Sequence, residues 1–355
     1  MIIGIPKEQK THEYRVSATP GLVALLVQAG HKVIVQETAG LKAGYPDDYY
    51  AKAGATLVPK IEQVYEAELI LKVKAPQKSE YPLLRKGQLL FCFLHLAADP
   101  DLLKHLIERK VVAIAYETVK DKQGFLPLLT PMSEVAGRMA VHAGAQGLQI
   151  IHGGKGILLG GVPGVPPAKV LVIGGGVVGT QVARTALELG ADVTILEKEL
   201  SRLRELDDLY GSRLKTIYST PTALQDEIAA ADLVVGAVLT PGKKAPRLIT
   251  EEMIKTLSPG SVFVDVAIDQ GGCSETSRPT TFSDPMYIVH NVVHYCVTNM
   301  PAAAARTSTQ ALVNATTPYI LALAEKGYEK ALAADPGFQE GLNLLLGQVT
   351  HPQLC

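Results

Sequence analysis

A chain of 355 residues exceeds the size at which a single hydrophobic core stops growing, so two domains are expected. Lys plus Arg at 34 nearly cancel Asp plus Glu at 35, aromatics make up 5% and Trp is absent, which argues against a nucleic-acid patch or a base-stacking surface. No apolar run reaches the roughly 18 residues of a membrane span, and Cys92, Cys273, Cys296 and Cys355 have neither metal-ligand nor disulfide-framework spacing.

The amino terminus, MIIGIPKEQKTHEYR, turns polar too early for the core of a signal peptide. The expectation is a soluble, reduced, cytoplasmic protein without a metal, whose partner is a small molecule. Short β-branched runs then alternate with helical patterns: MIIGI, TPGLVALLVQAG, HKVIVQE, LILKVK, LLFCFLHL, DPDLLKHLIERK and VVAIAYE. That order predicts β-α-β units on a parallel sheet. Thr19-Pro20 and Asp99-Pro100 each place a capping side chain before a proline at the first helical position.

After residue 130, PMSEVAGRMAVHAGAQGLQI predicts one long helix, and GGKGILLGGVPGVPP is a Gly/Pro loop that suits a domain linker, a substrate-closing loop or an assembly loop. KVLVIGG, DVTILEKE, LKTIYS, DLVVGAVL, SVFVDVAI and MYIVHNVVHYCV then supply about six strand candidates, the count of a full dinucleotide fold. From about Arg306 the chain is helix-rich, is given no strand, and is expected to pack back on the first domain. The expected architecture is α/β, with two doubly wound parallel-sheet domains. One is a Rossmann NAD-binding domain over residues 129–306; the other is a discontinuous Rossmann-like substrate domain over 1–128 plus 307–355.

Gly174-Gly175-Gly176-Val177-Val178-Gly179 directly follows the strand KVLVI and opens the helix TQVARTALELG. In such a loop Gly174 permits the tight turn, Gly176 lets backbone approach a pyrophosphate, and Gly179 allows close helix–strand packing at a helix N-terminus that faces the anion. Glu197, about 20 residues on, ends the next strand, where a carboxylate binds the adenosine ribose and repels a 2′-phosphate. NAD is therefore expected rather than NADP. Arg202, one turn further, has the charge to soften that repulsion.

Ligands of open parallel sheets bind outside the carboxyl ends of the strands. Polar residues expected there are Arg15 after the first strand, Lys74 closing LILKVK, His95 closing LLFCFLHL, Asp269 closing SVFVDVAI, and Asn299 after the last strand. Lys72 shares a face with Lys74 by the two-residue period and is a rival. Alone, the apolar run LLFCFLHL suits a core histidine. Its place ahead of the helix start at Asp99-Pro100 instead makes it a rigid, dry support for an imidazole at a cleft. Arg15 and Lys74 suit the carboxylate and carbonyl oxygens of a small 2-oxo or 2-amino acid, and His95 with Asp269 suits the proton transfers that accompany hydride transfer.

At these residues the chain resembles the alanine dehydrogenase family over nearly its whole length. The likeness is carried by GIPKE with Arg15-Val16, LKVKAP, FLHLAA, AYETV, PLLTPMSEVAGRMA, GGVPGVPPAKV, IGGGVVG, GAVLTPGKKAP, VDVAIDQGG, RPTT, NMP and RTST. The resemblance implies reversible NAD-linked oxidative deamination of L-alanine to pyruvate and ammonium, in a two-domain subunit of a hexamer. With Asn299 read as a further substrate residue, and with either His95 or Asp269 able to activate water, Asp269 being preferred for it and His95 for the carbonyl side, the resemblance implies Arg15 and Lys74 as substrate-binding residues and His95 and Asp269 as the catalytic acid/base pair. It further implies that Ser133, Val177, Val178, Glu197, Arg202, Ser219, Val238, Leu239, Val266, Ala267, Ile268, Asp269, Arg278, Val297, Thr298, Asn299 and Met300 contact the cofactor. The chain departs from the family in carrying Glu197 where Asp is usual, in AAAARTST, and in a tail ending HPQLC. Rival readings are the NAD(H)-binding component of a proton-translocating transhydrogenase, a dehydrogenase of a larger amino acid, and a non-catalytic NAD sensor.

Overall fold

The computed structural model describes residues 1–238 and 245–354, apart from the side chain of Gln353. The chain forms two compact units, Met1–Met132 with Ala302–Cys355, and Ser133–Pro301. In the first, strands β1 (Ile2–Ile5), β2 (Lys32–Gln36), β3 (Thr56–Val58), β4 (Leu69–Lys74), β5 (Leu89–Phe93) and β6 (Val112–Ala115) pair in parallel, in the order β3-β2-β1-β4-β5-β6. The near-continuous apolar runs of β4, β5 and β6 follow from burial on both faces. Leu69, Leu71 and Val73 enter one core, while Ile70 enters another. The three-residue, incompletely buried strand β3 carries too weak a pattern for the sequence to reveal.

The expected helix starts are present. Thr19 accepts from the amide of Leu22 at the head of helix Pro20–Gln28, and Asp99 accepts from that of Leu102 at the head of helix Pro100–Arg109. Each leaves a proline where the missing N–H has no helical partner to lose.

Helix Thr130–Gly147 leads into the second unit. Its strands are β7 (Lys169–Ile173), β8 (Asp192–Glu197), β9 (Leu214–Tyr218), β10 (Leu233–Gly236), β11 (Val262–Asp265), β12 (Met286–Val289) and β13 (Val292–Tyr295), in the order β9-β8-β7-β10-β11-β13-β12. MYIVHNVVHYCV, expected as one strand, is instead a hairpin: β12 runs antiparallel to β13, and His290 and Asn291 turn the chain with φ of 52° and 61°. Two consecutive positive φ values define the hairpin turn whose twist matches its flanking strands.

The tail departs from expectation. It carries β14 (Leu342–Leu345) and β15 (Gln348–Val349); β14 pairs antiparallel with β6. A four-residue strand following a long helix has no periodicity to betray it, and its pairing partner lies more than 200 residues earlier in the chain. Helix Ala305–Ala334 supplies Leu312, Val313, Ile320 and Leu323 to the first unit's core. Both sheets thus share one plan, six parallel strands in the order 3-2-1-4-5-6 with an antiparallel extension beyond the sixth. The strand order reverses between β1 and β4 in one sheet and between β7 and β10 in the other, the place where such folds bind ligands.

Candidate active site

Residues beyond the carboxyl ends of β1, β4, β5 and β6 build the polar end of the first unit. The segment after β1 carries Arg15, which is only 2% exposed. Its Nε donates to Glu13 Oε1 at 2.7 Å and its Nη2 to Oε2 at 2.5 Å, a two-point fork, while Nη1 lies 2.9 Å from Met132 Sδ. Planar guanidinium and carboxylate match in this geometry, which fixes the plane in which Arg15 offers its remaining donors. Glu8, from the same segment, accepts from the amide of Val73 at 2.6 Å and so ties this segment to the end of β4.

Lys72 and Lys74 part company at that point. The pairing of β4 with β5 shifts register between Leu71 and Lys74, so an extra residue interrupts the two-residue alternation. Lys72 is wholly buried, 3.2 Å from Glu8 and 2.9 Å from Glu80. Burial alone pushes its ammonium down, and the two carboxylates more than reverse this, leaving it above its ordinary value. Burial pushes the Glu8 carboxyl up, opposed by Lys72 and reinforced by Glu13. Lys72 is therefore a structural cation. Lys74 stays partly exposed, with Nζ 5.8 Å from the centre of the Phe93 ring.

His95 corrects two expectations. Strand β5 ends at Phe93, so His95 stands two residues beyond it, in the left-handed region with φ 51° and ψ 40°. Its side chain is 51% exposed, so the apolar run supports the imidazole without drying it. Phe93 links the two site residues, because the His95 ring also lies against it, parallel within 5° and centred 5.9 Å away. Glu117, in the turn Tyr116–Thr118 beyond β6, accepts from the amides of Leu94 and His95.

In the second unit the glycines behave as their spacing requires. Gly174 has φ 102°, and a Cβ on Gly179 would fall 1.8 Å from the carbonyl oxygen of Gly174. A Cβ on Gly176 would meet nothing within 4 Å, so the loop is open where a pyrophosphate would lie. Gly176 begins helix Val177–Glu188 without a side-chain cap, leaving the first amides to a ligand or water. These residues fit a dinucleotide.

Glu197, the last residue of β8, accepts from the amides of Gly175 at 2.6 Å, Lys198 at 2.6 Å and Glu199 at 3.0 Å. Arg202 donates from Nε to Gly175 O at 2.7 Å and from Nη2 to Thr180 Oγ1 at 2.6 Å, and pairs with Glu205. It braces the loop. Ser219 follows β9 and donates its amide to Glu197 O at 2.9 Å; Val238 follows β10. Val266, Ala267, Ile268 and Asp269 form a 3-10 turn beyond β11, and Val297, Thr298, Asn299 and Met300 follow β13. Nearly the whole expected cofactor set therefore lies at or past the carboxyl ends of one sheet. Ser133 instead lies in the first turn of helix Thr130–Gly147, and the Arg278 guanidinium lies 4.0 Å over the Tyr287 ring. Leu239 falls outside the described residues.

Asp269 does not close its strand. β11 ends at the buried Asp265, which accepts from the amides of Ala267 and Cys273, each at 2.9 Å, and from the Ser277 hydroxyl. Burial pushes the Asp265 carboxyl up, and these bonds oppose the rise. The turn they hold presents Asp269 exposed, with Oδ2 3.4 Å from the amide of Asn299. Sequence reasoning missed Glu13, Phe93, Glu117 and Asp265. Glu117 was in view inside AYETV, but nothing local tied it to His95.

Among the described residues, no cluster of three or more His, Cys, Asp or Glu could hold a metal, and no helix is long and apolar enough to cross a membrane. Residues 4–136 match the family described as alanine dehydrogenase/PNT, N-terminal domain, and residues 140–352 its C-terminal domain. The chain is 56% identical to an alanine dehydrogenase of Halomonas elongata over 99% of this chain and 95% of the relative, and 54% identical to that of Bacillus subtilis over 99% and 93%. A solved L-alanine dehydrogenase superposes with a TM-score of 0.97 at 48% identity, covering 100% of this chain and 98% of the other. A transhydrogenase from Sinorhizobium meliloti is more distant, with a TM-score of 0.84 at 26% identity and 99% of each chain covered. The family and the doubly wound glycine-loop unit together imply a nicotinamide dinucleotide cofactor. On these grounds the chain belongs to the alanine dehydrogenase/PNT family.

Proposed function

We propose that the chain catalyses reversible NAD-dependent oxidative deamination of L-alanine to pyruvate and ammonium, and that it is a cytoplasmic homohexamer. One observation carries the chemical part: Arg15, Lys74 and His95 stand at or beyond the carboxyl ends of three neighbouring strands, β1, β4 and β5, at and beside the reversal of strand order. The first unit is read as the substrate domain and the second as the dinucleotide domain. Glu197, ending β8, favours NAD because its carboxylate repels a 2′-phosphate.

In this reading Arg15 and Lys74 bind the alanine carboxylate, the first as a planar donor already oriented by Glu13 and the second as a point charge. The bound nicotinamide supplies the hydride acceptor. Loss of hydride from Cα of the neutral amine leaves a substrate iminium; Asp269 takes a proton from the water that adds to the iminium carbon and returns it to nitrogen, and ammonia departs as His95 takes the proton of the remaining hydroxyl and the carbonyl forms. Asn299 orients Asp269 through its amide.

The test is a panel of amino acids with NAD or NADP, followed by the absorbance of the reduced nicotinamide. Alanine with NAD is expected to give the highest kcat/KM. His95→Gln and Asp269→Asn are each expected to lose about 100-fold or more in kcat while still binding NAD. Reduction with larger amino acids and none with alanine would overturn the assignment. Light scattering tests the hexamer.

A further inference from the structure

We propose that Glu117 is the positioning residue for His95: its carboxylate fixes the turn that carries the imidazole and selects the tautomer protonated on Nδ1, so that Nε2 carries the proton exchanged with substrate. This rests on the reading of His95 as a proton-transferring residue.

The turn comes first. Glu117 Oε1 and Oε2 lie 3.2 and 3.1 Å from the amide of Leu94, and Oε1 also accepts from the amide of His95. Those two amides are the first beyond the end of β5. His95 adopts a left-handed conformation, which is uncommon for a residue other than glycine, though histidine is among those that tolerate it, and which is held where neighbouring groups bind its backbone. One carboxylate bound to two successive amides supplies that constraint, and the pairing of Cys92 with Ala115 in β5 and β6 holds the two segments side by side.

The ring follows. Phe93 lies parallel to the imidazole and sets its plane. Glu117 Oε1 is 3.9 Å from Nδ1, and the carboxylate is only 15% exposed, so water screens it weakly. A carboxylate beside one imidazole nitrogen stabilises the tautomer whose hydrogen sits there, and stabilises the imidazolium formed when the other nitrogen takes a proton. That is the division of labour between orienting acid and working base in other histidine catalysts, assembled here through the backbone as much as through the ring.

The closing experiment uses the full-length enzyme with ¹⁵N-labelled histidine, His95 being assigned by its loss in His95→Gln. In the wild type the neutral ring is expected to carry its hydrogen on Nδ1, and in Glu117→Gln the population is expected to move towards Nε2. Glu117→Gln keeps the size and one acceptor for the amides; kcat is expected to fall about 100-fold with the KM for NAD unchanged. In the His95→Gln background the same change is expected to cost less than about twofold, because both substitutions disable one unit. A wild-type ring protonated on Nε2, or an equal loss in both backgrounds, would overturn the proposal. The tautomer is read without substrate, and in the wild type without any variant at Glu117. Failure of the alanine reading, seen as wild-type inactivity with alanine, is therefore separate from failure of this one.

Discussion

Replacing Lys72 by Met tests whether this lysine is a structural cation. The substitution keeps the length and apolar stem of the side chain and removes its charge, leaving Glu8 and Glu80 buried without the ammonium that lies 3.2 and 2.9 Å from them. Breaking a buried ion pair by deleting one partner destabilises by about 3–5 kcal/mol, because a buried charge is left uncompensated. At about 2–4 °C per kcal/mol for a unit of this size, the melting temperature is expected to fall by roughly 6–20 °C. The loss should depend on pH in a defined direction. Burial holds the folded Glu8 carboxyl above its ordinary 4.5, and more so without Lys72. The folded state then binds the extra proton, so the penalty is complete above the raised folded value and shrinks as pH falls towards 4.5. Thermal unfolding of wild type, Lys72→Met and Lys74→Met at pH 8 and pH 5 reads this. Lys74→Met, at a partly exposed position, is expected to melt within about 2 °C of wild type while losing alanine-dependent activity. If Lys72→Met melted like the wild type yet lost activity, Lys72 would belong to the substrate site and the division between the lysines would be wrong.

The glycine loop permits a paired test. Gly179→Ala drives a Cβ into the carbonyl of Gly174 at 1.8 Å, backbone against backbone, and is expected to distort the loop and abolish NAD binding by calorimetry. Gly176→Ala meets nothing in the protein, so its melting temperature is expected to stay close to wild type while NAD affinity falls; unchanged affinity would mean that the pyrophosphate lies elsewhere. Glu197→Ala removes the acceptor of three backbone amides together with the charge. The KM for NAD is expected to rise about tenfold, a change of about 1.4 kcal/mol, and the preference over NADP to narrow. A narrowing caused only by poorer NAD use, with no gain in NADP use, would assign Glu197 to bracing the loop rather than to choosing the cofactor.

Much of the fold lies in local signals. Thr19-Pro20 and Asp99-Pro100 announce their helices because cap and proline act within one turn, and the Gly174–Gly179 spacing works through contacts close to its own backbone. Long-range pairing is what the sequence hides. β14 is recognised only by its partner β6, and the fork of Glu13 on Arg15 is one of many pairings open to an exposed-looking EYR. The two-residue period placed Lys72 and Lys74 together; the register shift after Leu71 separates them, and such a shift is a property of two strands, not of one. Asp269 was assigned to a strand end because VDVAID reads as one run, whereas Asp265 stops the strand by bonding the amides that follow it. For the site, the residue types and their order along the sheet were visible, and their supporting carboxylates were not.

The interrupted first unit also imposes an order on synthesis. Residues 133–301 carry every strand of the second sheet and a core of their own, and all of them are synthesised before the last part of the first unit. Leu312, Val313, Ile320, Leu323 and Phe338 belong to the core that covers one face of the first sheet, and β14 closes its β6 edge. Until they arrive, apolar strand faces and an unpaired edge stand open, the combination that invites aggregation in nascent chains. The unit that holds Arg15, Lys74 and His95 begins first and finishes last, so in the order of translation the dinucleotide-type sheet can be complete before the residues assigned to substrate have a finished scaffold.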